Sequence, residues 1–203
     1  MVARPAAPPL PSIRPGAAWP EPGHWTYEDY LRLPDDGKRY EIIEGVLYVA
    51  NAPAYDHQFA VGKLHQQLAN FVGEHALGVV IPAPFEVHLP GIAKPVQPDV
   101  LFIAAERQPA PDTQIFEGAP DLIVEVLSPG SLRLDQHIKF GAYERAKVRE
   151  YWLVDPKTRS VIVYTLPSDS VEYVLLGQFS RGENARSAVL AGFEIAVDSL
   201  FVA

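Results

Sequence analysis

The sequence predicts an α/β domain, a mixed β-sheet flanked by helices, and three observations predict it. An apolar run at 122–127, an amphipathic segment at about 132–147 and a second apolar run at 151–154 form a strand, helix, strand unit, which implies a right-handed parallel crossover. Residues 161–166 and 171–176 continue as a meander, so parallel and antiparallel neighbours share the sheet. A third segment, from Tyr55 to His75, places Phe59, Leu64, Leu68, Phe71 and Val72 three to five positions apart, the period of a long amphipathic helix.

Each element has its own local reason. Residues 1–23 carry seven of the chain's 20 prolines, which rules out helix and central strand and reads as an extended arm, leaving 24–203 as a single domain. Thr26 is placed to cap a short helix that Pro34 ends, and Asp35-Asp36-Gly37 is a turn. Ile42, Ile43, Val46, Leu47 and Tyr48 flank Glu44-Gly45, the pattern of a hairpin or a bulged strand. The long helix ends near Gly73 or Gly78, and strands are expected at 79–81, 85–89 and 100–103 before the crossover. In the crossover helix Leu134, Ile138, Ala142 and Ala146 repeat every four residues as the buried stripe. Asp135, Lys139, Tyr143 and Lys147 lie one residue further round, which puts Lys139 at the margin of the core face.

Composition removes several classes of function. The 203 residues contain no cysteine, which excludes disulfides, zinc-thiolate and iron–sulfur sites and cysteine nucleophiles, and points to a reducing cytoplasm. No run approaches the roughly 18 to 20 apolar residues of a membrane span, and the proline-broken start lacks the apolar core of a signal peptide. A net charge of −8 argues against coating nucleic acid by charge alone. One stretch runs the other way: Arg133 to Arg149 holds five basic residues against two acidic ones, read as a solvated helix face.

The sharpest signal is a pair of acids set into apolar strands: Asp99 before Val100-Leu101-Phe102-Ile103, and Glu125 inside Leu122-Ile123-Val124-Glu125-Val126-Leu127. A strand apolar on both sides of its alternation is covered on both faces, so these carboxylates should be buried. Burying an unpaired carboxylate costs several kcal/mol, so a cation is expected beside them, a divalent metal or a lysine. Two carboxylates from neighbouring strands suit Mg²⁺ or Mn²⁺, and a lysine from the crossover helix, Lys139, suits the positioning of a water. Aspartate, glutamate and lysine form a minimal kit for metal-dependent phosphodiester hydrolysis. His57, by contrast, reads as a helix cap or surface residue, and Tyr143 and Trp152 as core or interface aromatics.

Several words of the sequence carry a resemblance. Tyr40-Glu41-Ile42-Ile43-Glu44-Gly45, Gln97-Pro98-Asp99-Val100, Leu122 through Pro129, Lys139 through Tyr143, and Glu150-Tyr151-Trp152-Leu153-Val154-Asp155-Pro156 stand in the order found in Uma-type restriction endonucleases. That bacterial family is a branch of the PD-(D/E)XK nuclease superfamily, and the chain resembles it from about Trp25 to Phe201. The resemblance implies a restriction-endonuclease-like core, Asp99 and Glu125 as metal ligands, and DNA as substrate. It also brings in Glu41, which matches the acid of the family's first motif, as a further contact. The position two after Glu125 is Leu127 rather than lysine, and the resemblance implies that the lysine has moved to the helix as Lys139. One such site cuts one strand, so a homodimer is expected. The rival expectation, motivated by the acidic charge, is a non-catalytic binding or assembly protein on the same fold.

Overall fold

A computed structural model of the chain describes residues 19–50 and 52–202. Most of the proline-rich arm therefore lies outside the described residues. Its last part does not hang free: Trp19 stacks on Trp25 at 5.4 Å, and the Gly23 N–H donates to the Gly45 carbonyl at 2.8 Å.

Helix α1, Tyr27–Tyr30, starts where expected because Thr26 and Asp29 cap each other reciprocally. Strands β1, Arg39–Ile43, and β2, Val46–Ala50, form a hairpin rather than a bulged strand. Its turn residues, Glu44 (φ 50°) and Gly45 (φ 69°), are both left-handed, the backbone that matches strand twist. Gly45 has a second reason to lack a side chain, since a Cβ there would sit 2.4 Å from the Gly23 carbonyl. Helix α2, Tyr55–Glu74, buries Ala60, Val61, Leu64, Leu68 and Val72. Burial of each leucine contributes about 1.5–3 kcal/mol.

Strands β3 (Gly78–Pro82), β4 (Glu86–Leu89), β5 (Ala93–Val96), β6 (Val100–Ala104), β7 (Ile115–Glu117) and β8 (Leu122–Val126) follow. A π-helical segment, Leu134–Lys139, runs directly into α3, Phe140–Arg145. Strands β9 (Glu150–Asp155), β10 (Ser160–Thr165), β11 (Val174–Phe179), β12 (Asn184–Arg186) and β13 (Glu194–Ala196) complete the described strands.

The main sheet has the order β11-β10-β9-β8-β6-β3, and its one parallel pair is β8 with β9, the two strands joined by the crossover. A second sheet, β2-β1-β5-β4-β7, is also mixed, and β12 pairs with β13 alone. Alternation along the main sheet sorts two cores. Val100, Phe102, Leu122, Val124 and Trp152 pack with α2, while Leu101, Ile103, Ile123, Tyr151 and Leu153 pack with α3 and the second sheet. Among the described residues no helix is long and apolar enough to cross a membrane.

Three expectations are corrected. The last meander strand begins at Val174, three residues late, because Ser170 turns the chain by bonding Glu172 and the Tyr173 N–H donates to Glu144 at 2.6 Å. The crossover helix buries parts of both stripes: Ala142 is buried as expected, but so are Asp135, Lys139 and Tyr143 of the polar row, while Leu134, Ile138 and Ala146 are only partly buried and Lys147 is exposed. The wider π-helical turn rotates that polar row inward, where it finds partners. The basic stretch is a solvated face at Arg133, Arg145, Lys147 and Arg149, which are exposed, and departs from that expectation only at Lys139, which is buried.

Candidate active site

Strand register brings the two acids together. Strands β6 and β8 pair Phe102 with Leu122, Leu101 with Ile123 and Val100 with Val124, so Asp99, just before β6, comes beside Glu125 and accepts the Val126 N–H. Opposed residues of an antiparallel pair point to the same face. That face is the one carrying Leu101 and Ile123, toward α3. Glu41 shares it because β1 contributes Ile43 to the same core and Glu41 is two residues before it. Arg39, two residues earlier again, follows the same alternation.

Glu41, Asp99, Glu125 and Lys139 line one cavity of about 290 Å³, together with Arg39, His57 and Asp135. The four acids and the lysine are each no more than 4% exposed. Lys139 Nζ lies 2.9 Å from Glu41 Oε2, 2.9 Å from Glu125 Oε1 and 3.8 Å from Asp135 Oδ1. Tyr143 donates its hydroxyl to Glu125 Oε1 at 2.7 Å, and the Gln97 N–H donates to Glu41 Oε1 at 2.7 Å. Asp99 is held separately: Oδ1 accepts from Arg39 at 3.0 Å, and Oδ2 accepts the Val126 N–H at 2.9 Å with His57 Nε2 at 3.2 Å. Leu127 packs in the core, so the amine that meets Glu125 comes from Lys139 on the helix.

Charge in this pocket does not balance. Counted as fully ionised, four carboxylates face two fixed cations, Lys139 and Arg39, a formal excess of two negative charges that proton uptake can relieve. Burial, reinforced by Asp135, Asp99 and Glu41, pushes Glu125 up to about 8 despite Lys139. Burial likewise raises Asp135 to about 6, against the pull of Lys139. Burial acts the same way on Asp99, but the His57 hydrogen bond and the Arg39 charge outweigh it and hold that carboxyl down at about 2. Lys139 is opposite in sense: burial alone would discharge it, yet Glu125, Glu41 and Asp135 raise it well above the ordinary lysine range. It is therefore a permanent ammonium near neutral pH and does not accept a proton. Tyr143, raised by burial and by Glu125, stays a phenol and a donor.

Among the described residues no three His, Asp or Glu side chains are gathered as a ready metal-ligand set. Magnesium does not require one, because it takes one or two protein carboxylates and keeps several waters. Asp99 and Glu125 fit that demand by donor chemistry, both being oxygen ligands in one cavity. Glu125 Oε1 takes both Lys139 and Tyr143, which leaves Oε2 without a hydrogen bond from the described residues.

The structure thus brings together all four residues singled out from sequence and adds Arg39, His57, Asp135 and Tyr143. His57 corrects an expectation, being buried against Asp99 rather than capping a helix at the surface. A signal for it existed, since it stands three, four and seven positions before Ala60, Val61 and Leu64 on the buried face of α2. Asp135 and Tyr143 lie four residues either side of Lys139, so a helix places them on its face.

Comparison with known proteins agrees with this fold. The crystal structure of "a putative nuclease belonging to DUF820" from Anabaena variabilis is similar over 87% of this chain and 97% of that one, with a TM-score of 0.72. At 20% identity that likeness is one of fold. An uncharacterised protein of Synechocystis sp. is 28% identical over 133 residues, 64% of this chain and 74% of its own. The sequence model of the Uma2 family, described as "Putative restriction endonuclease", matches residues 27–198. Since that match runs from α1 past β13 and takes in every residue of the cavity, the chain belongs to the Uma2 family.

Proposed function

We propose that this protein is a metal-dependent endonuclease that hydrolyses DNA phosphodiester bonds. The observation that carries the reading is the buried pair Asp99 and Glu125, lining one cavity in which four carboxylates stand against two fixed cations, a formal excess of two negative charges. Such an excess equals the charge of one divalent cation, and Asp99 and Glu125 are the residues that would hold Mg²⁺ or Mn²⁺. When bound, the ion would polarise a phosphoryl oxygen and acidify a coordinated water.

The chain's own groups do the rest. Lys139, fixed by Glu41 and Glu125, presents an unchanging positive charge that positions the attacking water and stabilises charge building on the phosphorane. Because it cannot take the water's proton, its contribution is electrostatic. Glu41 is held by the Gln97 backbone and turns its other oxygen to Lys139, which fixes the amine in place. Water attack on phosphorus in line with the leaving oxygen severs one strand and leaves the phosphate on one product end. A symmetric dimer would address the second strand.

Purified protein with Mg²⁺ or Mn²⁺ should nick or degrade plasmid DNA, and Asp99→Ala, Glu125→Ala and Lys139→Ala should each abolish this. Undiminished cleavage by any of the three removes that residue from the site. One observation favours a second reading, a binding or assembly protein on this fold: the net charge of −8 supplies no electrostatic attraction for DNA. Metal binding by the wild type without cleavage of any nucleic acid would decide for it.

A further inference from the structure

Asp99 is gripped from three elements: Val126 N–H from β8, Arg39 from β1 and His57 from α2. The strand bond is to Oδ2 at 2.9 Å, and His57 Nε2 approaches the same oxygen at 3.2 Å. The Val126 and Arg39 bonds each hold one oxygen, and both come from strands. His57 adds the third direction, from the helix side.

His57 gains nothing else from its polarity. It is 6% exposed, and its Nδ1 is buried without a hydrogen-bond partner among the described residues. A leucine would fill the same face of α2, beside Ala60, Val61 and Leu64, without leaving a polar atom unpaired. What a histidine adds is a ring nitrogen 3.2 Å from Asp99 Oδ2.

We infer that His57 is a positioning residue, holding the Asp99 carboxylate in the orientation that binds the divalent ion. This rests on the reading of Asp99 as a ligand. Partners that orient ligating carboxylates from behind are worth about 10–100-fold in metal affinity.

The test uses His57→Leu, which keeps apolar packing and removes the donor, and His57→Gln, whose amide N–H reaches about as far as Nε2. Calorimetric titration with Mn²⁺ should show about 10–100-fold weaker binding for H57L and recovery to within a few-fold for H57Q. Plasmid nicking by H57L should return when Mn²⁺ is raised by the same factor, a rescue that a purely structural defect would not give. Thermal melting in EDTA checks that each variant is folded, and H57Q keeps the test decisive should H57L fail to fold. Wild-type affinity in H57L, or an H57Q as weak as H57L, overturns the inference alone. Absence of Mn²⁺ binding by the wild type overturns the ligand reading of Asp99 and takes the inference with it.

Discussion

Replacing Lys139 by methionine removes one charge while keeping most of the side chain's length, and the structure sets what should follow. The amine is buried and faces Glu41, Glu125 and Asp135, two of them at 2.9 Å. Deleting one partner of a buried ionic cluster costs about 3–5 kcal/mol, because the remaining charges lose their compensation. Here the acids have an escape, which is to take up protons, so the cost must depend on pH. With Lys139 gone, burial and mutual repulsion lift Glu125 and Asp135 beyond the 8 and 6 they already reach. Carboxyls raised in the folded state stabilise it fully below their ordinary values and lose that contribution as pH rises through the folded ones. The Lys139→Met penalty should therefore be about 1–2 kcal/mol at pH 5.5, where protonation relieves the cluster, and about 3–5 kcal/mol at pH 8. Urea unfolding in EDTA at the two pH values measures it. Equal penalties, or a loss under about 1 kcal/mol at pH 8, would refute the claim that this ammonium neutralises a carboxylate cluster.

Other consequences follow from the same geometry. In EDTA the wild type should lose stability from pH 5 to pH 8, because Glu125 titrates at about 8 against an ordinary 4.5. Asp99, held at about 2 against 3.8, loses its contribution only below that range, as pH falls from 3.8 to about 2. At pH 8, Mg²⁺ at a hundredfold excess over Kd should restore about 2.7 kcal/mol, and the same concentration should restore less at pH 6; a Tm shift independent of pH contradicts this. Glu125→Gln keeps acceptors for Lys139 and Tyr143 but removes a buried charge, so it should be at least as stable as wild type at pH 8 while cleaving no DNA. Gly45→Ala should cost about 1–3 kcal/mol in the same unfolding assay, since it combines a positive φ with a 2.4 Å approach to Gly23. Leu64→Ala, at a fully buried position of α2, should cost about 2–5 kcal/mol without altering metal affinity.

Parity explains what could be read in advance. A strand's period is two, so Asp99, Glu125 and Glu41 announce their face by the apolar residues two positions away, and long strands such as β6, β8 and β9 reveal themselves. Register between strands leaves no such mark, and the closeness of Asp99 to Glu125 appears only once β6 and β8 are paired. Strands β5, β7, β12 and β13 escaped because three or four residues carry too little periodicity, and Pro95 within β5 argues against a strand.

The lysine was the harder problem, and the reason is physical. Hydrophobic periodicity ranks positions by apolarity, so it assigns the core to Leu134, Ile138, Ala142 and Ala146 and leaves Lys139 at the edge. The folded chain keeps Ala142 inside but reverses the ranking of the others, because the π-helical segment turns Asp135 and Lys139 into a pocket already holding Glu41 and Glu125. A charge is buried where another charge awaits it, and that partner sits 98 positions away in the case of Glu41. No local pattern can report such a match. It follows that Lys139 owes its burial to Glu41 and Glu125 jointly. Removing both acids, as Glu41→Gln with Glu125→Gln, should leave the ammonium compensated only by Asp135 and restore an ordinary, titratable lysine. Chemical labelling of that amine at pH 9, absent in the wild type and present in the double variant, is the measurement that checks it; equal resistance in both would mean that packing, and not charge, keeps Lys139 inside.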